Sequence, residues 1–200
     1  ESEAVVVGTA TIAAGATTGT FAITAVDDSL VDGDQTSTII VSATGYVGAN
    51  ATLTVTDDEI SLLTVSIAAS SVDEGSETTG TVTRNTETAD ALVVNLSSND
   101  PGEAAVAATV TIPAGQSAAN FIITGVTDGT VDGDQTATIT ASFTGYVSGS
   151  DSITVLDTDV ATLTLTVSEG SITEAGGVTT ATVTRNTSTT SSLTVNLANS

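Results

Sequence analysis

The side chains here that could do chemistry are carboxylates, and they recur in a fixed order. Val131-Asp132-Gly133-Asp134-Gln135-Thr136 repeats Val31-Asp32-Gly33-Asp34-Gln35-Thr36, and each stands just after further acid, Asp128 in one copy and Asp27-Asp28 in the other. Asp157 and Asp159 follow the second motif and are matched by Asp57, Asp58 and Glu59 after the first. Glu74 lies in Val72-Asp73-Glu74-Gly75, with Glu174 as its counterpart in Thr173-Glu174-Ala175, and Asp100 sits in a polar stretch between them. Two bare carboxylates about 4 Å apart repel by about 1 kcal/mol in water and about 4 kcal/mol at an effective dielectric of roughly 20. Several together must raise their own pKa values, splay apart or share a cation. Calcium suits such a set because it accepts roughly 6–8 oxygens, main-chain carbonyls included, in adaptable geometry, whereas magnesium demands a tight octahedron and keeps its water. Histidine and cysteine are absent, which removes the usual ligands of zinc and copper. One Asp-Gly turn reads as a solvated loop. Four acidic elements recurring together read as a calcium site.

The same inventory argues against catalysis. Paired carboxylates can hydrolyse glycosides, but every acidic cluster recurs with the repeat and no aromatic-lined cleft is evident. Without histidine or cysteine the chain lacks the commonest general base and any thiol nucleophile. It is expected not to be an enzyme.

The elements that must hold these acids come as an internal repeat. Thr11-Ile12-Ala13-Ala14-Gly15 returns as Thr111-Ile112-Pro113-Ala114-Gly115, Phe21-Ala22-Ile23-Thr24 as Phe121-Ile122-Ile123-Thr124, and Thr44-Gly45-Tyr46-Val47 as Thr144-Gly145-Tyr146-Val147; the offset is 100 each time (111 − 11, 121 − 21, 144 − 44). Thr81-Val82-Thr83-Arg84-Asn85-Thr86 returns at Thr182 to Thr187, an offset of 101 (182 − 81), the added residue being one of Gly176-Gly177. Residues 60–159 make one whole repeat, 1–59 match its second part and 160–200 its first. Joining Ser200 to Glu1 restores a plausible repeat, so the chain is expected to be a two-repeat window of a longer array.

Within the whole repeat, seven alternating runs are separated by Gly, Asn and Asp turns. Leu63, Val65 and Ile67 mark the first, Thr78 to Arg84 the second, and Leu92, Val94 and Leu96 the third. Ala108, Val110 and Ile112 mark the fourth, Phe121 and Ile123 the fifth, Ala137, Ile139, Ala141 and Phe143 the sixth, and Ile153 with Val155 the seventh. The pattern predicts an all-β chain of tandem seven-stranded immunoglobulin-like sandwiches. Residues 1–59 should carry strands four to seven and residues 160–200 strands one to three. Neither part closes a two-sheet core alone, so completion head-to-tail is expected, by copies of the chain or along one continuous chain. Turns after odd-numbered strands gather at one end of such a sandwich. All four acidic elements fall there.

Composition sets the outer limits. A net charge of −22 repels nucleic-acid phosphates and anionic lipid, so neither is an expected partner. No run of roughly 18 apolar residues is present to span a bilayer. With 40% hydrophobic but only 2% aromatic residues, the cores must be built from Val, Ile, Leu and Ala. Such acidity usually goes with disorder, but a mean hydropathy of +0.31 and regular alternation point to a folded chain. Arg84 and Arg185, the two basic residues, should pair with nearby acids or lie across a sheet. Tyr46 and Tyr146 are expected to pack at their loops rather than to form a carbohydrate platform. Asn50-Ala51-Thr52, Asn95-Leu96-Ser97 and Asn186-Thr187-Ser188 fit the glycosylation triplet, which arises readily by chance in a chain so rich in Thr and Ser. Glycans stay among the candidate partners.

As a set, Asp73-Glu74-Gly75, Thr83-Arg84-Asn85, Thr111-Ile112-Pro113-Ala114-Gly115-Gln116, Val131-Asp132-Gly133-Asp134, Gly145-Tyr146 and Asp157-Thr158-Asp159 resemble the Calx-beta domains of bacterial surface proteins and sodium–calcium exchangers. The likeness covers essentially all of the chain, in permuted phase. It implies an immunoglobulin-like fold binding Ca2+ near the end of each domain. The implied ligands are Glu74, Asp100, Asp128, Asp132, Asp157 and Asp159 with the Thr130 carbonyl, and Asp27, Asp28, Asp32, Asp57, Asp58 and Glu59 with the Leu30 carbonyl. The family often has two acids where this chain has Thr127-Asp128, and three where it has Asp157-Thr158-Asp159. The expected role is a calcium-stiffened structural array of a secreted or cell-surface protein, assembling with copies of itself into a filament. An adhesin stalk and a calcium sensor are the alternatives.

Overall fold

The computed structural model describes residues 3–199; Glu1, Ser2 and Ser200, and with them the Ser200-to-Glu1 junction, lie outside the described residues. Those described form fifteen strands and no helix, and none of their segments is a helix long and apolar enough to cross a membrane. The first part holds β1 (Ala4–Val6), β2 (Ile23–Ala25), β3 (Gln35–Val41) and β4 (Ala49–Val55). The middle holds β5 (Leu63–Ile67), β6 (Ser71–Asp73), β7 (Glu77–Arg84), β8 (Leu92–Ser98), β9 (Ala104–Val106), β10 (Thr109–Ile112), β11 (Ala118–Gly125), β12 (Gln135–Ser142) and β13 (Gly149–Leu156). The last part holds β14 (Leu163–Val167) and β15 (Ala181–Arg185).

The nine middle strands form a β-sandwich-like pair of sheets, ordered β10-β8-β12-β13-β6 and β5-β7-β11-β9. Their shared core draws on both: Leu63, Val82, Phe121 and Ile123 from one sheet, Val94, Ile139 and Val155 among those from the other. Alternation does the sorting. On β12, Ala137, Ile139 and Ala141 are buried while Thr136, Thr138 and Thr140 point away. Ile112, Ile123, Ile139, Ile153, Val82, Val94 and Val155 are the largest fully buried side chains. Each contributes about 1.5–3 kcal/mol by leaving water, so branched aliphatics do the work that aromatics do elsewhere.

The structure departs from the sequence reading in three places. First, the whole repeat has nine strands rather than seven, the additions being β6 and β9. Both are three residues long, too short to show a period. β6 pairs parallel to β13 at one sheet edge, and β9 pairs with β11 before the chain crosses to pair β10 with β8. Second, Phe143 is not a core residue of the sixth strand. It lies past the end of β12, remains 36% exposed and meets Tyr146 edge-to-face at 5.5 Å. Tyr146 itself packs against the core and bonds through its hydroxyl to Thr86 Oγ1 at 2.7 Å.

Third, the flanking parts carry fewer of the strands expected. No strand forms over residues 9–12, the match of β10, and β2 is a fragment of what β11 would be. Likewise Leu193, Val195 and Leu197, the match of β8, form no strand. The reason is pairing. β10 pairs with β8, and β8 is held between β10 and β12, neighbours that the flanking parts lack. β2 forms only over the three residues that pair with β1, the match of β9, because the match of β7 is missing beside it.

Candidate metal centre

The acidic end of the sandwich is assembled by backbone before any side chain takes part. Gly125, at the end of β11, approaches the Asp73-Glu74 segment so closely that a Cβ there would meet the Asp73 carbonyl at 2.6 Å. Gly75 N–H donates to the Gly125 carbonyl (2.8 Å) and Gly125 N–H to the Ser76 carbonyl (2.9 Å). This close approach lays Glu74 against the site. β9 does the same for Glu103, since Val126 N–H donates to the Glu103 carbonyl at 2.7 Å.

The Asp-Gly-Asp loop is clamped in both copies by the same contacts. Asp28 Oδ1 and Asp128 Oδ1 each accept from the N–H two residues on, Leu30 and Thr130, at 2.7 Å. Asp157 Oδ2 accepts from Asp132 N–H (3.1 Å) and Gly133 N–H (2.8 Å), while its Oδ1 accepts from Asp159 N–H (2.9 Å). Asp57 takes the same bonds from Asp32, Gly33 and Glu59 at 2.9, 2.5 and 3.0 Å. Asp134 and Asp34 return the favour, accepting from the N–H of Asp157 and Asp57 at 3.2 Å. These donors hold the carboxyls of Asp157 and Asp57 below the usual range, with Gly133 and Gly33 the leading causes.

On this scaffold the acids among the described residues form three close groups, in each of which one oxygen per residue lies within 4.8 Å of the others: Glu74 with Asp157 and Asp159, Glu103 with Asp128 and Asp132, and Asp27 with Asp58 and Glu59. The ligand set expected for the whole repeat is thus divided between two groups. Glu74 is 92% buried by the complement of its 8% exposure, and its Oε2 and the Oδ2 of Asp159 are buried with no hydrogen-bond partner. Burial first, then the charges of Asp159, Asp157 and Asp128, push the Glu74 carboxyl up. Burial and the charges of Asp132, Asp100 and Asp128 do the same to Glu103. In the first copy, Glu59 is raised by its hydrogen bond to the Asp57 side chain, then by burial and Asp58.

The remaining expected residues fall as follows. Asp100 joins none of these groups; its carbonyl accepts from the N–H groups of Glu103 and Ala104 at 3.3 and 3.0 Å, so it shapes the turn that delivers Glu103. Glu174 is exposed in a turn of the last part and joins no acidic group among the described residues. Asp28, Leu30, Asp32, Asp57, Asp58 and Glu59 line a cavity of about 120 Å³ together with Glu3. Two acids outside the expected set stand with it: Glu103 in the group with Asp128 and Asp132, and Glu3 in the lining of that cavity. They recur at the same offset of 100 (103 − 3) as the others, which was signal enough.

The two copies solve the same problem differently. The first has Ala25, Asp27 and Asp58 where the second has Gly125, Thr127 and Thr158. Gly125 admits Glu74, whereas the first copy gathers its three acids from residues 27–59 alone. Neither a protein-family model nor a curated protein matches this chain.

Proposed function

We propose that the chain serves as a calcium-stabilised structural array of Calx-beta-like, immunoglobulin-like sandwiches in a secreted or cell-surface protein, assembling head-to-tail with copies of itself. One observation carries the cation: Glu74 and Asp159, each with a buried oxygen that has no hydrogen-bond partner, belong with Asp157 to a group in which one oxygen per residue lies within 4.8 Å of the others. A buried carboxylate oxygen with no donor, and like charges beside it, is unfavourable, and a cation supplies the missing partner. The donors are all oxygen, which favours calcium over softer metals. Glu74, Asp157 and Asp159 would hold one ion, and Glu103, Asp128 and Asp132 a second. The ion would supply positive charge that ties loops from separate strands together.

Assembly is supported by the apolar faces of the flanking parts. Phe21, Ile23 and Leu163 are 37%, 42% and 52% exposed, whereas their counterparts Phe121, Ile123 and Leu63 are 6%, 0% and 2% exposed. A matching part of a neighbouring copy would cover them. Extracellular modules bind calcium with Kd of about 0.1–1 mM. At about 100 times Kd, each independent site adds about 2.7 kcal/mol, which raises the melting point of a domain this size by roughly 10–20 °C. Calorimetry in calcium and in chelator measures this directly, and an unchanged melting point ends the reading.

A further inference from the structure

The two Asp-Gly-Asp loops are gripped from outside their own repeat. Asn85 Nδ2 donates to the carbonyls of Ser29 (3.1 Å) and Ile60 (3.0 Å), and Asn85 Oδ1 accepts from Leu62 N–H (2.8 Å). One repeat on, Asn186 Nδ2 donates to Gly129 (3.0 Å) and Val160 (3.0 Å), and its Oδ1 accepts from Thr162 N–H (2.7 Å). The main chain repeats too: Val31 N–H donates to the Asn85 carbonyl (2.8 Å) and Val131 N–H to that of Asn186 (2.7 Å), with parallel bridges from Val31 to Thr86 and Val131 to Thr187. Both amide protons and the carbonyl of each side chain are used, so the geometry fixes which way the amide faces. Aspartate, serine or leucine cannot reproduce two donors and one acceptor.

The grip falls inside the metal loop. Ser29 lies between Asp28, which caps Leu30 N–H, and Val31, and the next two N–H groups, of Asp32 and Gly33, are held by Asp57. From Asp28 to Gly33 the loop is therefore held by its own Asp28, by Asp57 beside the Asp58 and Glu59 of the acidic group, and by the following repeat. We propose that Asn85 and Asn186 are positioning residues that latch each repeat to the acidic loop of the one before it, making cation binding at that loop and the setting of the joint one coupled equilibrium. This rests on the calcium reading above. Linkage makes the coupling reciprocal: whatever frees the loop weakens the ion, and the ion stiffens the joint.

The test uses the full chain, isotope-labelled, titrated with calcium while the amide resonances of Gly33 and Gly133 report on the two loops separately. Asn85→Ala should weaken calcium binding reported by Gly33 by about 5–150-fold, the usual span of such coupling, and leave Gly133 unchanged. Asn186→Ala should do the reverse, and serves as the second variant should the first fold poorly. A merely structural asparagine would lower stability without separating the two loops; equal calcium affinities in wild type and both variants overturn the latch. A wild-type chain whose Gly33 and Gly133 resonances ignore calcium overturns the calcium reading itself, which is a different result from the first.

Discussion

The carboxyl of Glu74 is held above its ordinary value by burial and by Asp159, Asp157 and Asp128. An acid raised in the folded state stabilises that state only while protonated. Its contribution is present in full below its unfolded value of about 4.5 and is lost as pH rises through the raised folded value. Asp157 has the opposite sign: its depressed carboxyl stabilises the fold above about 3.8, and that support is lost as pH falls through the depressed value. The two residues give Glu74→Gln a distinctive signature. In chelator at neutral pH the variant should melt higher than wild type, because an unpaired buried charge is removed. In calcium it should melt lower, with affinity reduced by about tenfold or more for the lost anionic ligand. Thermal melts in the two buffers read both signs, and a variant less stable in both would make Glu74 a packing residue.

Gly125 sets where β6 and the Glu74 turn can lie against β11. The atom that an added methyl would meet is the Asp73 carbonyl, which is backbone and cannot rotate aside. Gly125→Ala should therefore cost about 1–3 kcal/mol by overpacking and weaken calcium binding in the same step. Gly170→Ala, with nothing within 4 Å and no unusual φ, should stay within about 0.5 kcal/mol. Denaturant melts of the pair, with calcium titrations, separate displacement of the Glu74 turn from a general glycine effect. Periodicity alone foretold the long strands, because Ile139 alternates with polar neighbours, Leu92, Val94 and Leu96 recur at every second position, and both strands have partners on both sides. It could not foretell β6 and β9, whose three residues carry no period but deliver Glu74 and Glu103. The acids could be counted from the repeat; their division into two groups depends on which backbone N–H groups Asp157 captures, and that is a matter of fold.

At the scale of the whole molecule, the proposed joining of copies has a built-in difference from the sandwich of residues 60–159. Three glycines there sit against close neighbours: Gly80 under the Phe121 ring, Gly125 on Asp73 and Gly149 on the Leu63 carbonyl. The matching residues of the flanking parts are Ala181, Ala25 and Ala49. Residues 160–199 of one copy, closing on residues 3–59 of the next, must therefore stand slightly further off wherever an alanine methyl meets backbone. Burying Phe21, Ile23 and Leu163 to the level of their counterparts still returns about 1.5–3 kcal/mol for each side chain fully covered. Against that stands mutual repulsion between chains of net charge −22, which the proposed calcium at the acidic loops would lessen. Heating should thus resolve two transitions in calcium. The lower belongs to the sandwich shared between copies, and must rise with protein concentration because its two halves are separate molecules. The upper belongs to residues 60–159 and must not. Chelator should abolish the lower transition and shift the upper one down. Calorimetry across a hundredfold dilution series decides it: a lower transition indifferent to concentration means that the flanking faces are not covered by second copies.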